Sequence, residues 1–245
     1  MMKKHMLLST NVILLKRESF SGILNMKIDE YLFNNFERLV SENSVIVRFY
    51  QFSNHTVTLG YSQKSVSEEI LKIFDKWFFI RRITGGKAVF HYPKRDLTLC
   101  LISSLKNFIN LPKENKLSFI HSFINNLLWS SIEFENIKDK NIKTEKSEKI
   151  NYVAIKKFDC FENPQNFEKT YNGKKVIGTA IKISNNKFIV QANIKLQNIF
   201  EEIDNKLIDK IESNFVKKLC KNYRNENIID FIKNSKGSTH FSVSY

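Results

Sequence analysis

Apolar positions recur at helical spacing from Leu24 to Val40, at Leu24, Ile28, Leu32, Phe36, Leu39 and Val40. They predict an amphipathic first helix, with Asn25 placed to cap it. A second helix is predicted over 113–132, where Leu117, Ile120, Ile124, Leu127 and Leu128 form one face. Between the two, short runs rich in β-branched and aromatic residues predict strands at Val45 to Tyr50, Val57 to Tyr61, Trp77 to Ile80, Ala88 to Phe90 and Leu97 to Ile102, interrupted by a short helix over 68–76. Val12 to Leu15 reads as a first strand, and Val176 to Ile183 with Phe188 to Leu196 as a hairpin turning at Ser184-Asn185-Asn186. Helices are expected over 201–211, 214–221 and 228–234. This mixed order gives the α+β class, with a mixed, largely antiparallel sheet and helices packed on it. One domain over 1–245 is expected, with 197–245 as its helical C-terminal extension. The polar stretch 133–149 reads as a solvated loop, or as a basic docking arm.

Composition narrows the choice of partners. The 245 residues carry a net charge of +14, which calls for an acidic protein or a nucleic acid. The basic residues are spread along the chain without a nucleic-acid fold signature, so an acidic protein partner explains the charge at least as well. Cys100, Cys160 and Cys220 stand far apart, without a CxxC pair, which indicates neither a disulfide framework nor a zinc site. No stretch reaches the ~20 apolar residues of a membrane span, and a cytoplasmic protein is expected. With only 7 glycines among 245 residues, Gly85, Gly86 and Gly178 are informative.

Gly85 and Gly86 lie in Arg81-Arg82-Ile83-Thr84-Gly85-Gly86-Lys87-Ala88-Val89-Phe90-His91, between two apolar runs. This predicts a sharp turn, read alone as an ordinary tight hairpin, whose bare backbone beside two arginines could also cradle an acyl or phosphate end. Cys160, in Lys156-Lys157-Phe158-Asp159-Cys160-Phe161-Glu162-Asn163-Pro164, lies in a polar, Pro-ended segment and is the cysteine to test as a nucleophile. Cys100 reads as buried filler. Lys175, fifteen residues on, is either one more solvated cation or a cation that favours the Cys160 thiolate.

The order Asn25 to Glu30, Arg48-Phe49-Tyr50, Thr58-Leu59-Gly60-Tyr61-Ser62-Gln63, Arg81 to His91, and Lys175-Val176-Ile177-Gly178-Thr179-Ala180 resembles the biotin/lipoate protein ligase catalytic-domain family, a class II synthetase-like fold. Cys160-Phe161 followed by Pro164, ahead of the Lys175 motif, resembles its cysteine-dependent octanoyltransferases. That resemblance implies that Cys160 takes an octanoyl group from acyl carrier protein as a thioester, while Lys175 lowers the thiol pKa and hydrogen-bonds the acyl carbonyl. The chain then passes to a lysine of a lipoyl domain or a glycine-cleavage H-like protein, in lipoyl-cofactor biosynthesis. Arg82, Gly85, Gly86, Ala88, His91, Gly178, Thr179 and Ala180 would line the acyl pocket, and backbone N–H groups near Gly85 or Thr179 would receive the oxyanion. No cofactor or metal is implied.

Two departures from the family pattern stand out: Tyr92 stands where Asp is usual after the histidine, and Gln191-Ala192-Asn193 where His-Gly-Ser is usual. An ATP-dependent lipoate ligase, using ATP and Mg, shares the same motifs without needing Cys160. Such ligases generally carry a C-terminal accessory domain, and the roughly 50 residues after the hairpin favour the transferase. An octanoyl amidotransferase acting between lipoyl proteins is a further alternative. From another class come a non-catalytic acyl-binding protein and a basic nucleic-acid binder, the latter not favoured.

Overall fold

The computed structural model describes residues 11–108, 111–132, 158–161, 169–220 and 223–234. The stretch read as a loop or docking arm, 133–149, lies outside them. The main sheet has six strands: β1 (Asn11–Phe20), β2 (Ser44–Phe52), β6 (Leu97–Ser104), β9 (Ile177–Ser184), β10 (Lys187–Ile194) and β11 (Tyr223–Glu226), in the order β11-β1-β2-β6-β10-β9. The β11/β1 and β1/β2 pairs are parallel and the others antiparallel, so the sheet is mixed, as the α+β reading expects. The C-terminal stretch expected to be helical therefore also supplies an edge strand.

Strand alternation gives the sheet two different faces. On one, Val45, Val47, Phe49, Leu99, Leu101, Val190 and Ala192 form an apolar layer under two helices, α4 (Lys116–Ser131) and α5 (Asn205–Leu219). Ile120, Ile124 and Leu128 of α4 are buried at four-residue spacing, whereas Leu117, expected on that face, is 49% exposed. The predicted pair of helices over 201–221 is the single helix α5. Asp204 caps it by accepting from Leu207 N at 2.8 Å, and Ile208, Ile211, Phe215 and Leu219 carry one apolar stripe through the expected break.

The opposite face carries α1 (Gly22–Asn34) and, after Asn35, the single turn α2 (Phe36–Leu39). Ser21 rather than Asn25 caps α1, its Oγ accepting from Leu24 N. Asn25 instead lies in the first turn, where its side-chain amide donates to Phe20 O and Gln51 O. Polar residues replace the apolar layer at the centre of this face. Arg48 donates to Asp29 Oδ1 at 2.8 Å and to Asn25 Oδ1 at 2.5 Å. Tyr50 and Gln191 donate to Asp29 Oδ2 at 2.8 and 2.7 Å.

A second, three-stranded sheet corrects the hairpin expected around the glycines. β3 (Thr56–Leu59) lies between β4 (Phe78–Arg81) and β5 (Val89–His91), parallel to the first and antiparallel to the second. The runs flanking Gly85-Gly86 therefore never pair with each other, because β3 takes the hydrogen-bonding edge of each. The helix between β3 and β4, α3, spans Glu68–Ile73. Phe74, Trp77, Phe90, Tyr92 and Phe158 fill the space beneath this sheet. A two-stranded ribbon, β7 (Thr170–Tyr171) with β8 (Lys174–Lys175), turns at Asn172 and Gly173, both at positive φ, as an Asn-Gly turn favours. After β11, α6 (Ile228–Asn234) adds Ile228, Phe231 and Ile232 to the core beside α1. No helix of the described residues is long and apolar enough to cross a membrane.

Arg48 and Asp29 are 2% and 0% exposed, so removing one charge strands the other away from water. Arg48→Ala should cost about 3–5 kcal/mol of folding stability, measured by urea unfolding.

Candidate active site

The site lies where the small sheet meets the polar face of the main sheet. The short segment 158–161 is held against β5 by a parallel bridge between Asp159 and Ala88, with Cys160 N donating to Ala88 O at 2.8 Å. Asp159 Oδ1 accepts from Phe161 N at 3.0 Å, which closes the turn. The Asn172-Gly173 ribbon delivers Lys175 from the other side. Its Nζ lies 3.3 Å from Cys160 Sγ and donates to Cys160 O at 3.0 Å. Lys175 is buried while Cys160 is half-buried, so the cation sits behind the sulfur and leaves it approachable. Phe161 packs on Gly178, where an added Cβ would lie 2.9 Å from the ring.

Cys160 lines a partly open cavity of about 40 Å³. Of the residues singled out from sequence, Arg82, Gly86, His91, Gly178, Thr179 and Ala180 line it together with Cys160. Gly85 and Ala88 do not; they act through their carbonyls, Ala88 O holding Cys160 N and Gly85 O accepting from Arg82 Nη2 at 2.6 Å. Arg82 also donates to Lys87 O at 2.7 Å and Thr58 O at 2.9 Å, and so fixes the Gly-Gly loop from inside. Burial lowers the Arg82 pKa to about 10, which leaves it charged at neutral pH. Gly86 has φ +90°, in the region that favours glycine. The Thr179 hydroxyl points to the helical side, 2.6 Å from His121 Nδ1 and 3.1 Å from Asn125 Nδ2.

His91 is held by Thr58 Oγ1 at 2.9 Å and Asn193 Nδ2 at 3.1 Å, and stacks on Phe52. Burial pushes its pKa down to about 4, against the pull of Asp96. Burial alone would raise the Asp96 carboxyl, but the Lys195 ammonium 2.9 Å away and the contact with His91 outweigh it and hold it at about 2. Asp96 Oδ1 also accepts from Tyr92 N at 2.9 Å. Cys100 is fully buried, and burial followed by the Asp29 carboxylate pushes its thiol well up, as suits a packing residue.

Met26, Tyr50, Phe52, Thr58, Val89, Thr98, Gln191, Ala192 and Asn193 complete the lining. Within the sequence, Met26, Tyr50, Thr58 and Val89 fall in the motifs that carry the family resemblance and 191–193 is marked by its departure from the family pattern, whereas Phe52 and Thr98 carry no such signal. Strand register assembles part of this set, Asn193 lying opposite Gly178 and Gln191 opposite Ala180. Among the described residues no cluster of His, Cys, Asp and Glu could hold a metal ion.

The lipoyl protein ligase A/B catalytic-domain model matches residues 21–235. The chain belongs to this family. It is 32% identical to the octanoyltransferase LipM of Carboxydothermus hydrogenoformans, over 66% of this chain and 56% of that protein. To LipM of Staphylococcus epidermidis it is 28% identical, over 79% of this chain and 71% of that protein. The chain thus spans little more than half the length of the first of these relatives. The fold is that of Plasmodium falciparum LipL1 in complex with lipoate, at TM-score 0.60 and 16% identity, covering 92% of this chain and 69% of that one. It is likewise that of the bipartite lipoate protein ligase of Thermoplasma acidophilum, at TM-score 0.57 and 16% identity, covering 96% and 99%.

Two outcomes check this arrangement. A Cβ at Gly60 would lie 1.8 Å from Gly86 O, so Gly60→Ala must move one backbone and should cost about 1–3 kcal/mol or more in thermal unfolding. For His91, the folded value of about 4 lies below the ordinary 6.5, so between these values the unfolded chain binds the extra proton. Its contribution is intact above pH 6.5 and is lost as pH falls toward 4, with a slope approaching ~1.4 kcal/mol per pH unit. Denaturant titrations over that range should be flatter for His91→Gln than for the native protein.

Proposed function

We propose that the protein is an octanoyltransferase of lipoyl-cofactor assembly, working through a thioester on Cys160. The observation that carries this reading is the 3.3 Å approach of Lys175 Nζ to Cys160 Sγ at a cavity lined by Gly86 and Gly178. The relatives named octanoyltransferase LipM support the acyl group and the reaction class.

In the first step Cys160 Sγ attacks the carbonyl carbon of octanoyl-acyl carrier protein. A new S–C bond forms, the donor's S–C bond breaks, and the thiol proton ends on the departing carrier thiol. In the second, a neutral lysine amine of the acceptor attacks the enzyme-bound carbonyl; the amide forms, the Cys160 S–C bond breaks, and one amine proton returns to the sulfur. A thioester exchange followed by amide formation is downhill without ATP. The Lys175 ammonium, fixed by Cys160 O, stands where negative charge grows on the acyl oxygen in both steps, and a donor already in place costs no reorganisation. The acceptor is a lipoyl domain or H-like protein; the Thermoplasma ligase was studied with its E2 lipoyl domain. The net charge of +14 favours encounter with acidic carriers, and the site itself belongs to a cytoplasmic enzyme.

Intact-protein mass spectrometry after mixing with octanoyl-acyl carrier protein, without ATP, should show a hydroxylamine-labile octanoyl adduct that Cys160→Ala lacks. Lys175→Ala should slow its formation about 10²–10³-fold. Modification of a lipoyl domain only when free acid and ATP are supplied would instead make the protein a ligase.

A further inference from the structure

The geometry points to Gln191 as the residue that sets the length of acyl chain the site accepts, an inference that rests on the acyl-transfer reading above. Both ends of its side-chain amide are committed. Nε2 donates to Asp29 Oδ2 at 2.7 Å and lies 3.6 Å from Met26 Sδ, and Oε1 accepts from Thr84 Oγ1 at 2.8 Å. An ionised, fully buried carboxylate accepts only, so Asp29 dictates which way the amide faces. Gln191 is 6% exposed and its remaining surface lines the cavity with Met26.

Cys160 and Gln191 line the same cavity, with Gly178 and Ala180 of β9 in its wall. The Lys175 side chain that meets the sulfur with Nζ passes 3.4 Å from the position of a Gly178 Cβ with Cε. Gly178 and Ala180 point to the same face, about 6.8 Å apart along β9, and Gln191 is the direct partner of Ala180. An extended octanoyl chain, whose ~1.52 Å bonds advance about 1.25 Å each, spans about 9 Å. Anchored on the sulfur, it runs past Ala180 and ends against the Gln191 amide and Met26. A longer chain must push that amide off Asp29 and leave a buried carboxylate short of a donor, which is costly.

The test measures labelling by octanoyl-, decanoyl- and dodecanoyl-pantetheine by intact mass, and binding of the free acids by calorimetry, for the native protein, Gln191→Ala and Met26→Ala. The native protein should favour eight carbons over twelve in both readouts. The twelve-to-eight ratio should rise at least tenfold in Gln191→Ala, each newly accepted methylene adding about fourfold, and should move the same way in Met26→Ala, which keeps the Asp29 hydrogen bonds. Circular dichroism checks folding, and if Gln191→Ala does not fold, the Met26→Ala ratio decides. A native protein that takes twelve carbons as readily as eight, or folded variants with an unchanged ratio, would overturn the inference. Selective binding of free acids without any thioester label would retire the Cys160 chemistry and keep the floor; label with no length preference would do the reverse.

Discussion

A single buried carboxylate organises the working face of this protein. Asp29 sits on α1 and accepts from Arg48 and Tyr50 of β2 and from Gln191 of β10, so one charge joins the helix to two strands that are not adjacent in the sheet. Gln191 extends the connection to Thr84, and with it to the loop that carries Gly85 and Gly86. A buried ion pair gives little net stability compared with an apolar core, but it tolerates few alternative geometries once its hydrogen bonds are complete. Here it replaces the apolar layer beside the cavity that Cys160 lines, and holds the walls of that cavity in one arrangement.

Beside it, a second network of Asp96, Lys195, His91 and Asn193 fixes the small sheet against the main one. Cys160 depends on both. Its backbone hangs from Ala88 just before β5, and its sulfur meets Lys175 only because the Asn172-Gly173 turn returns the chain at that height. The Cys160–Lys175 pair is thus made from two short segments of little intrinsic stability, each attached to a strand that the buried networks hold in place.

Much of this was legible in the sequence, and the failures have physical causes. Ile120, Ile124 and Leu128 gave α4, and the alternation after Val176 gave the β9/β10 hairpin, because burial on one face leaves a periodic trace. The pairing of the strands around Gly85-Gly86 was not legible, since β3, more than twenty residues upstream, competes for both, and no local pattern records a distant partner. Asn172-Gly173 did carry a local hairpin signal, which the longer hairpin after it obscured. Cys160 and Lys175 stood out by residue type and family order, and Met26 and Thr58 fell within the motifs that carry the resemblance, while Thr98 read as an ordinary strand residue. Gln191 looked like a defect in the family pattern until its bond to Asp29 supplied a reason for an amide there.

The central claim is that the acyl group resides on Cys160 between two carriers. The most direct measurement isolates the octanoylated protein free of donor, adds an unmodified lipoyl domain without ATP, and follows both masses in a single turnover. Loss of octanoyl from Cys160 matched by equal gain on the lipoyl-domain lysine is the predicted result. An adduct that persists, or that hydrolyses while the domain stays unmodified, would contradict the account.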